Sequence, residues 1–121
     1  MAITIQPLTL GNALKIISDA DSDGTSENNV NDGAATVYGI DIDNVAAATT
    51  YFKAWNAAVP TVGTTAPDLI IGPLAASTRR TVVISGGLSF ATALSFASVT
   101  TAGTAGTTNP ASDVVVEIVV A

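Results

Sequence analysis

Along most of this chain, apolar residues return at every second position in short runs. Gly or Pro cuts each run off before a helical period can build up. That pattern predicts strands and leaves no segment long enough for the crossover helices of a parallel α/β fold. The strongest run is the C-terminal VVVEIVVA. In an extended strand Val114, Val116, Ile118 and Val120 face one way, and Val115, Glu117, Val119 and Ala121 face the other. A strand apolar on both faces either lies centrally in layered sheets or is half-covered by another chain.

The remaining runs are shorter. Ile3, Ile5 and Leu8 alternate, and Leu14, Ile16 and Ile17 follow a Gly11-Asn12 turn signal. Val37, Ile40 and Ile42 interleave with Tyr38, Asp41 and Asp43, and Leu69-Ile70-Ile71 lies between Pro- and Gly-bounded loops. Arg80 to Ser85 (RTVVIS) reads as a strand closed by Gly86-Gly87, and the pairs Leu88/Phe90 and Leu94/Phe96 flank Ala91-Thr92-Ala93. Ala46 to Ala58 has the Ala content of a helix. Thr49, Thr50, Tyr51, Phe52 and Trp55 nonetheless favour a strand, with Tyr51, Lys53 and Trp55 on one face and Phe52 and Ala54 on the other. Thr100 to Ser112 is small, polar and glycine-containing, a flexible loop or hairpin tip. Ser18 to Gly33 holds five of the ten acidic residues and reads as one long exposed loop. The expectation is a single all-β domain over residues 1–121: an antiparallel β-sandwich or jelly roll of seven to eight short strands with a long acidic loop at 18–33.

Charge and composition narrow the function. Four Lys and Arg stand against ten Asp and Glu, giving a net charge of −6, too few cations for a phosphate-binding stripe or for attachment to anionic lipid. Nucleic acid and membrane are therefore not expected partners. The chain has no Cys and no His, so disulfides, thiolate or imidazole metal sites, and Cys–His or Ser–His catalysis are absent. The N-terminal segment lacks a basic region followed by an apolar block, so no secretory leader is expected. Only 12% of residues are charged and 48% are hydrophobic, a balance suited to a protein whose apolar surface is covered in an assembly.

Four constellations invite a chemical reading. Asp19, Asp21 and Asp23, followed by Gly24, alternate as oxygen ligands around Ca²⁺ do. Counted from Asp19, however, the twelfth position is Val30 and not the bidentate Glu of an EF-hand. A solvated acidic loop is the preferred reading, with no cofactor expected and Ca²⁺ as the weaker option. Asp41 and Asp43 share a strand face, yet no aromatic cluster accompanies them to cradle a sugar, so an enzyme is not expected. Arg79-Arg80 is the one clustered positive charge. It either meets carboxylates of a partner, or of Asp68, or guards an edge strand, and the guard is preferred. Trp55, beside Tyr51 and Phe52, is a core or interface anchor. The interface candidates are thus Arg79, Arg80, Trp55, Val115 and Val119, with the N-terminal strand and acidic loop as further contact regions.

From Tyr51 to Ala121 the chain resembles small structural proteins of tailed bacteriophages and related prophages. The resemblance is carried by Tyr51-x-Lys53-x-Trp55-Asn56, then Pro60-Thr61-Val62-Gly63-Thr64-x-x-Pro67 and a short strand ending near Pro73. Gly87-Leu88-x-Phe90-x-x-Ala93-Leu94-Ser95-Phe96 and the valine-rich C-terminal strand complete it. It implies a β-sandwich of the virion, made in the host cytoplasm and carried on the capsid surface as a decoration (cement) protein. Such a protein would bind the major capsid protein and its own copies, a trimer among the options. The alternative is a tail-fibre or baseplate component that binds the host. The first fifty residues carry no part of the resemblance.

Overall fold

The structure, a computed structural model, describes residues 3–7, 14–112 and 114–121. It contains eight strands and, among the described residues, no helix: β1 (Ile3–Pro7), β2 (Lys15–Ser22), β3 (Ala35–Asn44), β4 (Thr50–Asn56), β5 (Leu69–Leu74), β6 (Thr78–Phe90), β7 (Leu94–Val99) and β8 (Val114–Val120). They form two antiparallel sheets, one in the order β1-β2-β8-β3-β6 and the other β5-β4-β7. The expected all-β sandwich is therefore present. The Gly11-Asn12 turn and Leu8 lie outside the described residues.

Period-two alternation decides which side chains enter the core. On β8, Val114, Val116, Ile118 and Val120 are fully buried while Glu117 is exposed. Across the interior they meet Phe52, Ala54, Leu94 and Phe96 of the smaller sheet. The Phe52 and Phe96 rings stack with centroids 5.6 Å apart. β8 lies between β2 and β3, so its two-sided hydrophobicity belongs to a central strand whose second face is the outside of the sheet. Aromatic and β-branched residues also win over Ala between Ala46 and Ala58, where β4 forms with the expected facing.

Two segments differ from their expectation. Ser18 to Gly33 is not one loop, because Ser18 to Ser22 belong to β2 and residues 23–30 lie along the outer edge of β7. There Ser98 N donates to Asp23 O (2.8 Å), Glu27 and Phe96 exchange two backbone bonds (2.8 and 3.0 Å), and Val30 N donates to Leu94 O (2.9 Å). A sheet edge offers backbone donors and acceptors whatever the side chains are, so a polar sequence can occupy it. Thr100 to Ser112, in turn, folds back over β4 and is not a free tip. Lys53 is fully buried beneath it, with Nζ donating to the carbonyls of Gly103 and Gly106.

β6 also runs further than RTVVIS. Val83 pairs with Gly39 and Leu88 with Val37, so residues 84–87 bulge out opposite Tyr38 alone. Gly86 and Gly87 turn this bulge at φ +80°, a left-handed conformation that favours glycine. A Cβ on Gly87 would meet Thr36 Cγ2 at 2.5 Å and the Tyr38 ring at 3.0 Å.

Candidate functional site

The register of the larger sheet gathers one set of side chains on its outer face. Gly39, Asp41 and Asp43 of β3 pair with Val119, Glu117 and Val115 of β8, and with Val83, Thr81 and Arg79 of β6. Ile16 and Ser18 of β2 complete the row beside Val119 and Glu117. No described segment of the chain is layered over this face. Val83 is 80% exposed, and Tyr38, lifted by the bulge, is 37% exposed. Between them Ile16, Tyr38, Val83 and Val119 line a groove of about 270 Å³, with Asp41, Thr81 and Glu117 along its polar side.

The polar side has a defined charge arrangement. Arg79 grips Asp41 through Nε (2.9 Å to Oδ2) and Nη2, and Thr81 Oγ1 donates to Asp41 Oδ1 (2.8 Å). The Arg79 hydrogen bonds hold the Asp41 carboxyl below the usual carboxylate range, outweighing the opposing effect of its partial burial. Asp41 in turn raises the Arg79 guanidinium further, with Asp43 and Glu117 adding to the effect. Glu117 faces Asp41 across the β3–β8 pair, a like-charge juxtaposition that costs stability. Its carboxylate accepts no hydrogen bond from any described residue. A carboxylate held ionised by an arginine serves badly as a general acid, so Asp41 is better suited to charge recognition than to proton donation.

The other predicted site residues are dispersed. Val115 and Val119 lie half-buried on the outer face, as alternation requires, and Val119 enters the groove. Arg79 is on this face, but its partner is Asp41, thirty-eight residues away, and not Asp68. Asp68 Oδ2 instead accepts Asn56 N at 2.7 Å. Arg80 points the other way and donates to Pro73 O (3.0 Å), joining β6 to β5 at the edge of the sandwich. Trp55 is not an interface residue. It is fully buried on the far face of β4, covered by the loop that supplies Thr65 O to its Nε1 at 2.8 Å.

The alternating aspartates do not form the expected solvated acidic loop, because strand β2 pulls Asp19 into the core. Asp19 is fully buried. Its Oδ1 accepts Asp21 N at 3.1 Å and its Oδ2 has no partner. Burial, followed by a side-chain hydrogen bond with Asp21 and the nearby charge of Glu27, raises its carboxyl to about 7 against the lowering effect of the Asp21 backbone N–H. Burial also pushes up Glu27, helped by the charges of Asp21 and Asp23. Asp23 Oδ1 is used by Thr25 N at 2.7 Å. Among the described residues no group of three or more acidic side chains is arranged to hold a metal ion.

Tyr38, Val83, Ile16 and Glu117 were not singled out by sequence reasoning as parts of one site. Alternation in β8 carried half the signal, since Val119 and Glu117 share its outward face. The pairing of β8 with β2 and β3 is a long-range fact that no local pattern encodes. No protein-family model, curated protein or solved structure matches this chain.

Proposed function

We propose that the chain is a structural protein of a phage particle, a decoration (cement) protein that binds its own copies and, through the outer face of its larger sheet, the major capsid protein. The observation that carries this reading is that face. The sandwich satisfies its own core, yet it leaves a groove of aliphatic side chains and an unshared carboxylate on the opposite side of the same sheet. Five strands at about 4.8 Å spacing and roughly six residues of length present on the order of 500 Å². Two such surfaces together reach about 1,000 Å², the lower bound of a specific interface. Contacts of that size are weak singly and strong when repeated over a shell.

Connectivity supports the same class. From β2 onward the chain visits the larger sheet, then the 23–30 segment beside β7, then β3, β4, β5, β6, β7 and β8. It changes sheet at every step except β4 to β5. Counting the 23–30 segment as a strand makes this the order of an eight-strand jelly roll, an architecture used by viral capsid and lectin domains. Fold-level likeness of this kind supports the class and not the site. A tail-fibre or baseplate role in glycan binding requires an aromatic platform. Trp55 is buried and Tyr38 is the one aromatic ring in the outer groove, so the cement reading is favoured.

Immunogold labelling and cryo-imaging of particles from cells that produce the chain test the proposal. Regular density on the head shell, reduced by Val83→Asp, is the expected result. Label confined to tails favours the host-binding alternative, and label absent from all particles refutes the virion reading.

A further inference from the structure

We infer that the outer groove receives one lysine or arginine side chain of a different protein, presented on an otherwise apolar extended segment. The inference rests on the reading of this face as a docking surface and names the chemistry of what docks. At about 270 Å³ the groove falls below the roughly 300–1,000 Å³ of small-molecule sites and suits a single long side chain. Its walls are aliphatic and aromatic, with Tyr38, Val83 and Val119 placed to lie along a methylene stem. Its polar side ends in Asp41 and Glu117, two carboxylates opposed across β3 and β8. Arg79 and Thr81 occupy Asp41, while Glu117 is left without a hydrogen-bond donor among the described residues. A guest cation there gains a charge-assisted hydrogen bond and relieves the repulsion between the two acids.

The chain's own cations argue that the guest is not a second copy. There are four Lys and Arg in total. Lys53 is buried under the 100–109 loop and Arg80 is bonded to Pro73 O at the β5 edge. Lys15 shares the strand face of Ile17, opposite to Ile16. Arg79 alone stands on the outer face, and it is already paired with Asp41. A copy approaching this face with net charge −6 would bring more carboxylates to it than free cations.

The test is NMR titration of the isotope-labelled chain with three blocked pentapeptides, Val-Lys-Val-Lys-Val and its Ser and Glu counterparts. The lysine peptide is expected to shift the amides of Gly39, Thr81, Val83 and Val119 at millimolar concentration, with the serine peptide at least fivefold weaker and the glutamate peptide silent. Glu117→Gln should weaken the lysine peptide about fivefold and Glu117→Lys more than tenfold. Both are surface changes that leave the core intact. Equal affinity for the lysine and serine peptides, indifference to Glu117→Gln, shifts centred elsewhere, or no shift at about 5 mM each overturn the inference. Self-association of the free chain that Val83→Asp abolishes and Glu117→Gln spares would assign the face to a second copy and also overturn it. Lysine-peptide binding by a chain absent from particles refutes the virion reading alone. Particle binding untouched by Glu117→Lys refutes this inference alone.

Discussion

Ionising Asp19 should cost the fold stability, in a pH range where most proteins gain it. The carboxyl is fully buried on the core face of β2, one oxygen has no partner, and Glu27 and Asp21 add negative charge nearby. Its pKa rises from the usual 3.8 to about 7. A folded-state pKa above the unfolded one means that the folded chain binds the proton more tightly. Stability is then greatest below the unfolded value and falls as pH climbs to the folded value. Three units correspond to about 4 kcal/mol as an upper limit. Water entry and relaxation of the β2 bulge on ionisation reduce this to about 1–3 kcal/mol. Urea denaturation at a series of pH values from 4.5 to 8 reads the effect. The wild-type midpoint should drop across this range, and Asp19→Asn should flatten most of the slope, its advantage over wild type widening as pH rises. Glu27, raised by the same burial, leaves a residual slope that Glu27→Gln removes. Superimposable pH profiles for wild type and Asp19→Asn would show that the buried Asp19 carboxyl carries no such penalty.

Three further outcomes are expected. Lys53→Met keeps the stem but loses the bonds to Gly103 O and Gly106 O, so it should cost about 1–3 kcal/mol in chemical denaturation and open residues 100–109 to limited proteolysis. Gly87→Ala forces a side chain into a left-handed φ against Thr36 and the Tyr38 ring, costing on the order of 1–3 kcal/mol by thermal melting and displacing the Tyr38 ring signals in NMR spectra. Arg79→Ala removes an exposed ion pair and should lower the melting temperature only slightly, an effect that salt erases. Because Asp41 is depressed by this pair, its contribution is present above the unfolded carboxylate pKa and is lost as pH falls through the folded value, a loss that Arg79→Ala abolishes.

Where a segment is buried on one face, alternation specified it. β8 and β3 follow their patterns because a slip of one residue would turn every core side chain outward. Asp19 broke the pattern by entering the core on strand parity despite its charge, a placement its raised pKa makes tolerable. The edge segment at 23–30 and the loop under which Lys53 lies were unreadable for another reason. Both are held by backbone hydrogen bonds or by a lysine reaching distant carbonyls, and neither leaves a periodic trace. The candidate site was legible in halves. Val119 and Arg79 could be named from the sequence, while Tyr38, Val83 and Glu117 joined them only through the pairing of strands far apart in the chain.

A decoration role requires the outer face of the larger sheet to be covered in the assembled particle. The chain has no cysteine, so Val83→Cys introduces a unique thiol on that face, and Val59→Cys supplies a control at a loop residue that is 77% exposed. Alkylation rates are compared for the free chain and for the chain on isolated particles. Both positions should label rapidly in the free chain, with position 83 alone protected on the particle. Equal labelling of both positions on the particle would contradict the decoration role.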